Sequence, residues 1–102
     1  MKAIWTPMGL ESLAETTRFI ENQWNEEVVE LFLDRLDERI NQLKRNPLLG
    51  PVYNQSIFRR LLIHPHVTLY YVIEKTFISL VLISANQQDP NELKSRLRKH
   101  DN

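Results

Sequence analysis

His64–Pro90, HPHVTLYYVIEKTFISLVLISANQQDP, decides the fold, because it holds two strands of different character joined by a short turn. TLYYVIE (Thr68–Glu74) alternates, which places Leu69, Tyr71 and Ile73 on one face and Thr68, Tyr70 and Val72 on the other. FISLVLIS (Phe77–Ser84) is nearly all apolar, the pattern of a central strand covered on both faces. Lys75-Thr76 between them fits a two-residue hairpin in length, without the Asn-Gly chemistry such turns prefer. After the second strand, DPNEL caps a short C-terminal helix that frays into a charged tail over residues 90–102.

Working outward, IFRRLLI (Ile57–Ile63) is a third strand-like run, broken by His-Pro-His. NPLLGPVYNQS (Asn46–Ser56) carries Pro, Gly, Pro and Asn and is a loop. Upstream lie two helical patterns. Thr6 caps a helix with Pro7 at its first position, and Leu10, Leu13, Thr17, Ile20 and Trp24 recur along one face. Asn25 interrupts. Glu26 and Glu27 then suit a new helix start, Val28, Phe32, Leu36, Ile40 and Leu43 form its apolar face, and Lys44 and Arg45 suit its end before Pro47. KAIW (Lys2–Trp5) is a short strand with Ile4 inward. The order β-α-α-β-β-β predicts an α+β domain, a helical hairpin packed on a mostly antiparallel sheet with a short C-terminal helix, as one domain over residues 1–102.

Composition narrows the function classes. The 102 residues are 42% hydrophobic and 25% charged, an ordinary globular balance. No apolar run reaches the roughly 20 residues of a membrane helix, and the N-terminus lacks the pattern of a secretory signal. The absence of cysteine excludes disulfides and thiolate chemistry and fits a reducing cytoplasm. Net charge is zero, yet residues 1–50 carry six basic and nine acidic side chains and residues 51–102 carry seven and four. Arg59, Arg60, Lys94, Arg96, Arg98 and Lys99 supply the basic excess, which suits either a phosphate or acidic partner or plain solvated surface.

Several stretches in this order resemble the RelE/ParE superfamily of bacterial toxins from type II toxin–antitoxin pairs. IWTPMGLESLAETTRFIENQW is similar to the family's first strand and helix, and VVELFLDRLDERINQLKRNPLLGPVY to its second helix, "NP" stop and "G.PV" loop. FRRLLIHPHVTLYYVIE and LVLISANQQDP complete a collinear set over about residues 2–93. The resemblance implies a cytoplasmic toxin held inactive by a cognate antitoxin, contacting operator DNA only through the antitoxin complex. RelE-like members cut mRNA in the ribosome; ParE-like members inhibit DNA gyrase without being nucleases.

RNA cleavage by a 2′-hydroxyl needs a proton acceptor, a proton donor and positive charge on the phosphorane-like transition state. Arg59 and Arg60 match the family's basic positions on the first hairpin strand. Thr68 and Gln87 stand where the resemblance leads one to expect arginine, and no tyrosine follows Tyr71. An amide lacks the charge and bidentate phosphate fork of a guanidinium. His64 and His66 titrate near neutrality and are acid–base candidates beside Arg59 and Arg60, but Pro65 between them argues for a turn with solvent-facing imidazoles. Two histidines without a third ligand do not make a zinc site, and no cofactor motif is present.

Of the two adjacent tyrosines, Tyr71 belongs to the core with its hydroxyl at the rim, and Tyr70 is the candidate for partner contact. The arginines diverge by strand geometry, one to the concave surface and the other to prop a helix carboxylate. Trp5 and Trp24 close the ends of the hairpin. Arg59, Arg60, Tyr70 and Gln87 are therefore the expected target- or partner-binding residues. The reading favours a toxin acting by binding on a gyrase-type target. The alternatives are a ribosome-dependent mRNA endonuclease and a degenerate regulator that binds only antitoxin or operator DNA.

Overall fold

The computed structural model describes residues 1–85 and 89–101. Its elements are β1 (Lys2–Trp5), α1 (Pro7–Gln23), α2 (Glu26–Arg45), β2 (Arg59–His64), β3 (Val67–Ile73), β4 (Phe77–Ala85) and α3 (Pro90–Asp101). The strands form one sheet in the order β1-β4-β3-β2, with β1 parallel to β4 and the other pairs antiparallel. The α1–α2 hairpin packs on one face over a core of Phe32, Leu36, Leu43, Leu61, Leu69, Tyr71 and Leu80. On the other face α3 covers Phe58, Tyr70, Val72, Val81 and Leu82 with Leu93 and Leu97. β4 is buried along nearly its whole length, as its unbroken apolar run requires.

Both helix starts follow their caps. The Thr6 hydroxyl accepts from the Gly9 amide at 2.9 Å, and the Asn25 side chain accepts from the Val28 amide at 3.1 Å. The buried face of α1, however, differs from its apolar periodicity. Gly9, Ser12, Thr16 and Ile20 are buried, whereas Leu10 and Trp24 are half exposed. The reason is a polar seam. β1 pairs with β4 only as far as Leu80, and α1 then runs beside the unpaired edge of β4. Ser12 Oγ accepts from the Ile83 amide at 2.9 Å, Thr16 Oγ1 donates to the Ile83 carbonyl at 3.4 Å, and the Thr6 amide donates to the Leu80 carbonyl at 3.1 Å. Satisfying those buried strand groups outweighs burying two more apolar side chains. Ile4 likewise points outward, while Ala3 and Trp5 meet the hairpin side. β1 is an edge strand, and its outer face has no helix over it.

Two register shifts re-aim side chains. Tyr70 lies opposite Leu82 and Tyr71 opposite Leu80, so Val81 is an extra residue in β4. Val81 and Leu82 consequently share the α3 face, and Leu80 and Ile83 the hairpin face. Between Leu62 and His64 the register slips again, because Leu62 faces Thr68 and His64 faces Val67.

α3 does not fray after its first turn; it continues through the charged stretch to Asp101. Leu93 and Leu97, one turn apart, bury against the sheet and hold it down. Arg96 also pairs with Glu15 of α1 at 3.0 Å, where the glutamate is 43% exposed, so the pair adds no more than about 1 kcal/mol.

Candidate functional site

Alternation along three strands brings a row of side chains to the α3 face. Arg60 faces Tyr70 and Leu62 faces Thr68 across β2–β3, while Tyr70 faces Leu82 and Thr68 faces Ser84 across β3–β4. The bulge at Val81 is what turns Ser84 onto this face rather than Ile83. Together with Pro51 and Tyr53 from the loop and Pro90 and Leu93 from α3, these residues line an open cavity of about 540 Å³.

Tyr53 organises one wall. Its ring meets Tyr70 edge-on with centroids 5.2 Å apart, and the Arg60 guanidinium lies over it at 5.8 Å. Burial pushes the Tyr70 phenol above its ordinary pKa, with Tyr53 adding to the rise and Arg60 opposing it. Tyr70 is only 6% exposed, so it presents the cavity with an edge rather than a free ring. Among the described residues that line the cavity there are one guanidinium and several hydroxyls, and neither a carboxylate nor an imidazole. Such a set donates hydrogen bonds and positive charge, but it offers no group that exchanges a proton near neutral pH.

The structure separates the candidates named from the sequence. Arg60 alone of the four acid–base candidates lines the cavity. Arg59 turns to the loop and donates to the Gly50 carbonyl at 2.8 Å; it props a backbone carbonyl rather than a helix carboxylate. His64, beyond the slip in register, lies against α2 in recesses lined by Leu31, Arg35, Glu38 and Arg39. Burial lowers its pKa, and the neighbouring charges of His66 and Arg35 lower it further. His66 is exposed in the β2–β3 turn. Tyr71 is fully buried, its hydroxyl donating to the Pro47 carbonyl at 2.7 Å and accepting from the Gly50 amide at 2.9 Å. Gln87 lies outside the described residues.

Tyr53 and Ser84 were not singled out from the sequence. A tyrosine within the turn-rich PVYNQS was the available signal for the first; the bulge that presents Ser84 has none. No three His, Cys, Asp or Glu side chains gather among the described residues, and no described helix is long and apolar enough to cross a membrane.

The profile of the family described as "ParE toxin of type II toxin-antitoxin system, parDE" matches residues 3–90. A solved YoeB/ParE toxin from Agrobacterium tumefaciens has a similar structure, with a TM-score of 0.57 at 13% identity over 83% of this chain and 98% of that one. At that identity the likeness bears on the fold. No curated protein matches the chain.

Proposed function

The chain belongs to the ParE toxin family of type II toxin–antitoxin systems, and from that premise we propose that it acts by binding, on a gyrase-type target, without nuclease chemistry. The observation that carries this reading is the dispersal of the acid–base candidates. Arg60 lines the cavity, Arg59 holds the Gly50 carbonyl, His64 sits against α2 and His66 stands in a turn. General acid–base catalysis needs both groups within hydrogen-bond reach of one phosphodiester. A surface of one guanidinium, hydroxyls and apolar side chains suits recognition instead. In the cell the protein is cytoplasmic, neutralised by its cognate antitoxin, and reaches operator DNA only through that complex. It needs no cofactor.

Two assays with the purified protein test this. Supercoiling by DNA gyrase should be inhibited, and mRNA in a purified translation system should stay intact. Ordered cuts at ribosomal A-site codons would replace this reading with that of a ribosome-dependent endonuclease. Co-expression with the product of the adjacent small gene should give a stable complex and relieve growth arrest. A protein that is harmless alone and captures no such product would be a regulator rather than a toxin.

A further inference from the structure

Between Glu38 and Glu74 the sequence contains no aspartate or glutamate, yet it contains Arg39, Lys44, Arg45, Arg59 and Arg60. That stretch supplies the long loop before β2, and β2 and β3 themselves. α3 lies beside it with unequal sides. Leu93 and Leu97 face the sheet. Glu92 and Arg96 line a recess toward α1, where Arg96 already has Glu15 as partner. Lys94 and Arg98, on the opposite side, line a recess of about 350 Å³ against Tyr53, Asn54, Ser56 and Phe58. Both cations are exposed, and no carboxylate among the described residues pairs with either. The facing loop has none to offer.

Tyr53 lines this recess and the larger cavity alike, so the two meet there. They make one groove between the loop and α3, with Arg60 near one end, Lys94 and Arg98 near the other, and Leu62, Leu93 and Leu97 as apolar walls. We propose that this groove binds an acidic, extended peptide segment of a partner protein, its carboxylates on Lys94, Arg98 and Arg60 and its aliphatic side chains between them. Spacing supports an extended segment. Lys94 and Arg98 are four residues apart on a helix, about 6 Å along its axis, and alternate residues of an extended chain are about 6.8 Å apart on one side. Two carboxylates separated by one residue thus meet both cations.

The rings favour a peptide over single-stranded nucleic acid. Bases need open aromatic faces to stack on. Tyr53 has Arg60 over its face and Tyr70 against its edge, and Tyr70 and Phe58 are 6% and 5% exposed. The inference rests on the reading of the protein as one that acts by binding, and its test is independent of gyrase.

Fluorescence anisotropy with the full chain would use a labelled peptide of alternating leucine and aspartate. Its comparators are the leucine–asparagine version and an oligouridylate of equal length. The aspartate peptide should bind, and the asparagine version should bind at least about tenfold more weakly, with a salt dependence confined to the former. Lys94→Glu with Arg98→Glu should abolish binding with the melting temperature kept, Lys94→Arg should retain it, and Lys75→Glu at the far hairpin should leave it unchanged. Equal binding of both peptides, undiminished binding by the double variant, or tighter binding of oligouridylate overturns the proposal. Peptide binding lost with gyrase inhibition retained sinks the groove alone; the converse sinks the target and leaves the groove.

Discussion

Tyr71 is tied to Gly50 through the loop that walls the candidate site. The Gly50 amide donates to the Tyr71 hydroxyl at 2.9 Å, and that hydroxyl donates to the Pro47 carbonyl at 2.7 Å. A side chain at Gly50 would collide with the Arg60 backbone carbonyl and crowd the Tyr71 ring. One buried phenol thus holds the NPLLG turn against β2 and β3. Tyr71→Phe keeps the ring and strands a buried amide, which costs roughly 1–3 kcal/mol. Urea unfolding should show a lower midpoint with an unchanged slope. An unchanged midpoint would mean that water replaces the phenol without loss.

Gly9 makes the corresponding close approach on the other side of β4. A Cβ there would collide with the Leu80 carbonyl oxygen, which is strand backbone and cannot move aside. Gly9→Ala gains about 1 kcal/mol of helix propensity but overpacks at a cost of roughly 1–3 kcal/mol. We expect net destabilisation, with Leu10→Ala next to it staying within about 0.5 kcal/mol because Leu10 is 53% exposed. Thermal melts of the two variants test the order; a more stable Gly9→Ala would show that α1 can lift off β4 freely.

The contrast between Gly9 and Leu10 marks where sequence reading stops. Strands β3 and β4, both helix starts and the Pro47 stop were legible because caps and alternation are local signals. The seat of α1 was not. Apolar periodicity chose Leu10 and Trp24, but the helix is positioned by hydroxyls that satisfy the β4 edge, and that demand arises only after β1 ends short. His64 shows the same limit at the site. Strict alternation from Arg60 would have put it on the cavity face; the slip after Leu62 puts it against α2. Tyr71, whose neighbours in sequence determine its face, was placed correctly.

His64 also sets a pH dependence. Its folded pKa lies below the ordinary value of 6.5, chiefly through burial, with His66 and Arg35 adding to the effect. Below 6.5 the unfolded chain therefore takes up a proton that the folded chain resists. The sign follows: stability is full above 6.5 and declines as pH falls toward the folded value. His64→Gln should flatten the dependence in that window, measured as unfolding midpoints from pH 7.5 down through about pH 5. A dependence as steep in the variant would place the responsible protons elsewhere.

Arg60 and His64 give the last prediction, because they lie on opposite faces of the sheet. If the cavity face meets the target, Arg60→Ala should weaken growth arrest while costing less than about 1 kcal/mol of stability, the scale of its contact with the Tyr53 ring. His64→Ala and His66→Ala should leave growth arrest unchanged, since neither imidazole lines the cavity. All three proteins would be induced at matched levels, with soluble yield and melting temperature recorded beside growth. Loss of arrest in a folded His64→Ala protein would move the functional surface to the α2 side, where His64 meets Arg35 and Arg39. Loss in both Arg60→Ala and His64→Ala, with mRNA cleavage lost in parallel, would mean that the two groups reach one substrate despite their opposite faces. A strand that reverses its slip after Leu62 on the ribosome would then be needed, and cross-linking between positions 64 and 84 would reveal it.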